Sequence, residues 1–240
     1  MKRRIGFYEK YIKRLLDIVC SLLTLLLFGW LYIAIALLVR NNMGSPVVFI
    51  QPRPGLIDPK TGKERIFDMY KFRTMTDEKD ENGELLPDEV RLGKFGASLR
   101  ESSMDELLEV VNILKGDMSV VGPRPQLVRD MVFMTDAQRM RHTAKPGLTG
   151  LAQVKGRNSI TWEEKLNWDL QYVETISFLN DAKILFMTIM SVLKHEGITD
   201  GENATALDYG DALLKNGKIP KEEYEELQKK AKELLLDRNK

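Results

Sequence analysis

IVCSLLTLLLFGWLYIAIALLV, running from Ile18 to Val39 between Asp17 and Arg40, holds no charged residue. Its 22 residues, at about 1.5 Å each, make a helix of roughly 33 Å, long enough to cross a bilayer's hydrocarbon core. A cleaved signal has an apolar region of only about 7 to 15 residues and ends in small residues. This stretch ends in Val39-Arg40-Asn41-Asn42, so it reads as a resident membrane segment. Basic residues lie on both sides: Lys2, Arg3, Arg4, Lys10, Lys13 and Arg14 before it, Arg40 and Arg53 after it. The positive-inside bias therefore pulls both ends to the same face. A helix that bends near Phe28-Gly29-Trp30 and returns satisfies both flanks, and a straight helix crossing once satisfies only one. Glycine permits such a bend without enforcing it.

Beyond that segment the chain is ordinary in composition: 240 residues, 43% hydrophobic, with 17 Gly and 9 Pro, enough for a sizeable core. Thirty-six basic residues against 35 acidic leave a formal charge of +1. No global field is present for gripping nucleic acid, so no nucleic-acid partner is expected. The single cysteine, Cys20, excludes an internal disulfide, and with two histidines it excludes Cys/His zinc spacings.

Val47 to Ile50 reads as a short strand and Gln51-Pro52-Arg53-Pro54-Gly55 as a turn. Ile66 to Met75 reads as a second strand, making a small hairpin. The acidic run from Asp77 to Glu89 reads as a solvated loop. Ser103-Met104-Asp105-Glu106 has the form of a capping box opening a helix that runs toward Gly116. Trp162 to Ile176 gives an amphipathic helix, while Ile184 to Leu193 is apolar on nearly every side and belongs in a core or on a bilayer surface. Residues 221–238 give a charged helical appendage. The expected class is α+β: a mostly helical cytoplasmic domain with a small β-hairpin, interfacial amphipathic helices and a re-entrant membrane helix at the amino end. The divisions are 1–45 for the basic segment and membrane helix, 46–198 for the catalytic domain and 199–240 for the extension.

Asp105 and Glu106 sit in a helix's first turn, where the dipole favours negative charge with or without a function. Gly122-Pro123-Arg124-Pro125 is the most unusual loop, because prolines on both sides of Arg124 restrict its backbone. A guanidinium so presented suits bidentate recognition of phosphate, or a structural ion pair with an acid such as Asp117. Lys71 and Arg73 share one face of a strand. Two basic glycine loops, Lys145 to Gly150 and Lys155-Gly156-Arg157, match no nucleotide-binding fingerprint. His142 and His195 read as surface or helix-end residues, and Trp162 and Trp168 as core or interfacial anchors.

In combination, Lys71-Phe72-Arg73-Thr74-Met75, Ser103-Met104-Asp105-Glu106-Leu107, Lys115-Gly116-Asp117-Met118-Ser119, Gly122-Pro123-Arg124-Pro125, Lys145-Pro146-Gly147-Leu148-Thr149-Gly150 and Gln153-Val154-Lys155-Gly156-Arg157-Asn158 resemble the bacterial sugar transferases known as monotopic phosphoglycosyl transferases. The resemblance covers about residues 8 to 198. It implies transfer of a sugar 1-phosphate from a UDP-sugar to a polyprenyl phosphate such as undecaprenyl phosphate, giving a polyprenyl diphosphate sugar and UMP through an aspartyl phosphosugar. It further implies Asp105 as nucleophile with Glu106 as partner, both toward Mg2+, and Lys71, Arg73, Arg100, Gly122, Pro123, Arg124 and Arg157 at the substrate. The implied location is the bacterial inner membrane, with membrane lipid as a partner and the catalytic part on the cytoplasmic face. Family members place Ser-Pro at the helix midpoint, where this chain has Gly29-Trp30. The sequence leaves homo-oligomerisation and the sugar open. A rival from another class is a membrane-anchored, non-catalytic scaffold of a polysaccharide assembly complex.

Overall fold

A computed structural model describes residues 3–156, 160–194 and 207–238. The uncharged stretch forms one long helix: a π-helical turn, Tyr8–Ile12, continues into α1, Lys13–Met43. This helix is long and apolar enough to cross a membrane by length and composition. It passes through Phe28-Gly29-Trp30 unbroken, so the expected midpoint bend is not displayed. That outcome is open to glycine, which tolerates helix and bend alike.

Both halves of α1 dock on the rest of the chain. Near its start Lys13 is ion-paired with Asp181, and Arg14 donates to the carbonyls of Ile113 (2.5 Å) and Leu114 (2.7 Å). Asp17 Oδ1 accepts from the Ser119 hydroxyl and the Val120 N–H, each at 2.9 Å. Nearer its end, Ile35 and Val39 pack with Phe72 and Leu99, and the Tyr32 hydroxyl donates to Leu107 O at 3.1 Å. The opposite face, with Leu26, Leu27, Trp30 and Ile33, is exposed.

The hairpin is present but longer than expected. β1, Val48–Ile57, runs antiparallel to β2, Glu64–Phe72, with Val48 opposite Phe72. The expected turn at 51–55 therefore lies inside β1. Pro52 and Pro54 are tolerated there because among the described residues the sheet has two strands, so a missing N–H need not break a ladder on both sides. The chain reverses instead at 58–63, where the Asp58 N–H donates to Lys63 O and Gly62 takes φ +68°.

The acidic run is exposed from Asp77 to Leu85, but its last two residues, read as loop, open α2, Asp88–Glu101, the rest of which no expected element covered. Gly93 breaks its helical backbone, and at Gly96 a Cβ would sit 1.9 Å from Thr74 O. A 3-10 turn, Met104–Leu108, leads into α3, Glu109–Lys115. β3, Ser119–Val121, then pairs in parallel with β4, Gly147–Thr149; between them lie α4, Val128–Met131, α5, Asp136–Arg139, and a 3-10 turn, Met140–Thr143. α6, Leu151–Gly156, and α7, Trp162–Glu174, follow, the latter capped reciprocally by Thr161 and Glu164. α8, Phe178–Leu193, buries Ile184 in the main core with Val121, Tyr172 and Val173 while exposing Phe186 and Ile189.

The carboxyl-terminal extension is no loose appendage. α9, Tyr209–Lys215, and α10, Lys221–Asp237, pack on α4 through buried Tyr209 and Ala231. The Tyr209 N–H donates to Asp130 Oδ1 at 2.8 Å, Tyr224 stacks on Phe133, and Arg238 pairs with Asp68 at 2.6 Å. The apolar stripe of α10, read at the sequence level as one side of a charged helix, is what seats it.

Candidate active site

Ser103 is the one non-glycine residue with positive φ among the described residues (φ +54°, ψ 19°). The capping box predicted from its S-x-x-E spacing does not form. An N-cap needs extended backbone, the Ser103 side chain caps nothing, and two cations have taken the Glu106 carboxylate. Glu106 Oε1 accepts from Lys71 Nζ at 2.7 Å and is ion-paired with Arg124, whose second nitrogen reaches Oε2 at 3.3 Å. Lys71 also faces Glu109 Oε1 at 3.4 Å.

Asp105, on the same turn, is 7% exposed, and among the described residues nothing forms a hydrogen bond or ion pair with its carboxylate. Burial pushes its carboxyl up; Lys71 opposes that and the Glu106 charge adds to it. Burial also disfavours ionised Glu106, but Arg124 and Lys71 together hold that carboxyl well below the usual range. Glu109, buried beside them, is pushed up by burial and then by Glu106. Glu106 is thus a fixed anion with its charge spent on two cations, and Asp105 is a buried carboxylate with none of its own.

Arg124 is held from behind. The Gly122 N–H donates to Thr149 O at 2.8 Å, and the Gly147 N–H to Pro123 O at 3.0 Å. The two glycine loops cross backbone on backbone: a Cβ on Gly122 would lie 2.3 Å from Lys145 O. Arg141, itself buried in an ion pair with Asp169 at 2.7 Å, donates to the Arg124 carbonyl at 2.5 Å. The partner of Arg124 is therefore Glu106, not Asp117.

Beside this cluster opens a cavity of about 690 Å3. Its wall includes Thr24 and Tyr32 of α1, Leu185, Thr188 and Val192 of α8, and the charged residues Arg53, Arg100, Glu106, Arg124 and Lys165. Asp105 and Lys71 are not on its wall.

A family model described as bacterial sugar transferase matches residues 8–195. This chain belongs to the bacterial sugar transferase family. It is 48% identical over 195 residues to the uncharacterized sugar transferase EpsL of Bacillus subtilis, covering 81% of this chain and 94% of that protein. It is 37% identical over 187 residues to the UDP-glucose:undecaprenyl-phosphate glucose-1-phosphate transferase of Klebsiella pneumoniae, covering 74% and 39% respectively. With the undecaprenyl-phosphate galactose phosphotransferase of Salmonella typhimurium it shares 34% over 206 residues, covering 79% and 42%. It spans less than half the length of those last two relatives.

In this sugar transferase the residues singled out by sequence divide into three groups. Lys71, Asp105, Glu106 and Arg124 come together, with Gly122 and Pro123 supporting them. Arg100 lines the cavity and donates to Thr74 Oγ1 at 3.0 Å. Arg73 is turned to its own loop, donating to Met75 O (2.8 Å) and Asp77 (2.6 Å). Arg157 and His195 lie outside the described residues. His142 lies within the short 3-10 turn Met140–Thr143, near its end as expected, but is buried rather than at the surface, its ring 3.0 Å from Glu64. Glu109 escaped the sequence reading, although D-E-x-x-E spacing places it one turn beyond Asp105. Arg53 and Lys165 had no sequence signal: one lay in an expected turn, the other among the charges of an amphipathic helix.

Mg2+ prefers hard oxygens, and at nucleotide sites it is held by one or two carboxylates plus substrate phosphates. The described residues offer no group of three His, Cys, Asp or Glu able to hold a metal. The unengaged Asp105 carboxylate fits that sparse mode, whereas Glu106 would first have to release a cation.

Proposed function

We propose that this chain moves a sugar 1-phosphate from a UDP-sugar to a polyprenyl phosphate, giving a polyprenyl diphosphate sugar and UMP, through two displacements at Asp105. The observation that carries the proposal is Asp105 itself: a buried carboxylate without a partner among the described residues, beside Lys71 and Arg124, in a chain with a long apolar helix. The undecaprenyl-phosphate transferases among its relatives supply the reaction class.

In the first displacement an Asp105 oxygen bonds to the sugar-linked phosphorus of the diphosphate. The bridging P–O bond breaks and its electrons leave with UMP. In the second, a phosphate oxygen of the lipid attacks the same phosphorus and the Asp105 carboxylate is released. Each step brings anion toward anion, so positive charge matters more than a strong base. Lys71 and Arg124, fixed by Glu106, and Arg100 supply it from the chain. Asp105 would help to hold Mg2+, which when bound would supply further positive charge to the diphosphate. The lipid phosphate, with a second pKa near ~6, is already largely dianionic at neutral pH and needs no demanding base.

The lipid acceptor gives α1 a use. Docking at both halves on one domain, with basic residues on both flanks, supports a seat on the cytoplasmic side of the bilayer, re-entry requiring that the helix, unbroken here, bend near Gly29 in lipid. The exposed apolar faces of α1 and α8 then meet lipid, and the acceptor's tail need not enter water, at ~0.8 kcal/mol per exposed CH2. The test is to incubate the purified chain with Mg2+, polyprenyl phosphate and a panel of UDP-sugars and to assay the nucleotide released. UMP is expected with one or more sugars; release of UDP, or of no nucleotide, would overturn the assignment.

A further inference from the structure

Arg53 and Lys165 are cations of the cavity wall to which the mechanism above gives no task. Two guanidinium nitrogens of Arg53 donate to neutral acceptors, Pro125 O at 3.1 Å and Gln51 Oε1 at 2.6 Å. Its Nε is buried without a partner, and among the described residues no carboxylate stands at ion-pair distance. The Lys165 ammonium lies 4.7 Å from the centre of the Trp162 ring and likewise forms no ion pair.

The cavity's acids are committed elsewhere. Glu106 is held by Lys71 and Arg124, Asp169 by Arg141, and Asp208 by Arg129. Asp130 accepts the N–H groups of Leu127 (3.2 Å) and Tyr209 (2.8 Å), and Glu101 is exposed. Asp130, Glu109 and Glu106 reach Arg53 only through their fields, and burial together with the Arg124 charge lowers its pKa to about 10. Lys165 is lowered too, by burial first. Half-buried positive charge without a counter-ion is costly, and an anion entering the cavity relieves it.

We propose that Arg53 and Lys165 form a phosphate subsite next to Arg124 that holds the nucleoside monophosphate half of the donor. This rests on the transfer reaction proposed above. Arg124 stands at the Asp105–Glu106 turn, where the attacked phosphorus must come, which leaves the departing phosphate to Arg53 and Lys165. The phosphate of the lipid acceptor has the same chemistry. The nucleotide is favoured because the two cations project from β1 and α7, whereas the exposed apolar faces belong to α1 and α8.

The test uses the full chain in detergent and UMP as the probe. Lys165→Gln and Arg53→Gln are each expected to weaken UMP binding in calorimetry by about 10-fold or more, as loss of a charged contact would, and to raise the donor KM with the acceptor KM unchanged. Among the described residues the Lys165 side chain holds no backbone carbonyl, as Arg53 holds Pro125 O, so Lys165→Gln remains decisive should Arg53→Gln disturb the Pro125 loop. Unaltered UMP affinity in Lys165→Gln overturns the subsite. A rise in acceptor KM with donor KM unchanged overturns the nucleotide assignment in favour of the lipid phosphate. Absence of UMP release by the wild-type chain from every UDP-sugar would sink the transfer reaction instead, while UMP binding would still report on the subsite.

Discussion

At the scale of single residues, position in sequence said least about burial. His142 reads from sequence as a surface or helix-end residue, yet it is packed between Arg141 and Glu64. Arginine can only donate, so Nε2 of His142 accepts and the ring's one proton is on Nδ1, given to Glu64. Burial, then the Arg141 charge, lowers the ring's pKa from 6.5 to about 4 against the pull of Glu64. The unfolded chain therefore binds more protons between those values, so stability is full above pH 6.5 and declines as pH falls toward 4. Burial raises Glu64, but His142 and Arg139 hold it down to about 2 from 4.5, which continues the loss at lower pH. Melting temperature in detergent is expected to drop between pH 7 and pH 4.5, and His142→Gln to flatten that slope. An equally steep slope in the variant would take His142 out of the acid sensitivity.

At the scale of elements, the motif order was legible because each motif is local, and the hairpin, α7, α8 and α10 were legible from periodicity. What escaped was set by distant partners. Pro52 and Pro54 look like a turn until β1 is seen to have, among the described residues, β2 alone as a neighbour. The S-x-x-E cap fails because Lys71 and Arg124, from other elements, claim Glu106. The glycines of 122–150 gave no fingerprint, since their reason is mutual: a Cβ on Gly147 would lie 2.0 Å from the Gly122 nitrogen and 2.5 Å from Thr149 O. Overpacking of this kind costs about 1–3 kcal/mol or more, and the loop that shifts carries Arg124. Gly147→Ala is accordingly expected to lower both the melting temperature and the turnover. Gly29→Ala, with nothing within 4 Å of the added carbon, serves as the tolerated control, gaining up to about 1 kcal/mol of helix propensity. Equal melting temperatures for the two variants would contradict the crossing-loop account.

At the scale of the whole molecule, the parts serve one geometry. α1 lies against the domain by both halves, α8 lies near its start through the Lys13–Asp181 pair, and both helices share the cavity wall with the arginines. α9 and α10 brace α4 beyond the family match, and Leu207 and Asp208 just ahead of them complete the wall. The two-step transfer proposed above would have this cavity receive a water-soluble nucleotide sugar and a lipid phosphate in turn. The most direct measurement is the intact mass of the chain after incubation with Mg2+ and its donor UDP-sugar in the absence of lipid acceptor. A gain equal to one sugar phosphate, located on Asp105 by fragmentation, lost on adding polyprenyl phosphate and absent in Asp105→Asn, is the expected result. Turnover to UMP and lipid product under conditions where the trapped wild-type chain never gains that mass, or full turnover by Asp105→Asn, would contradict it.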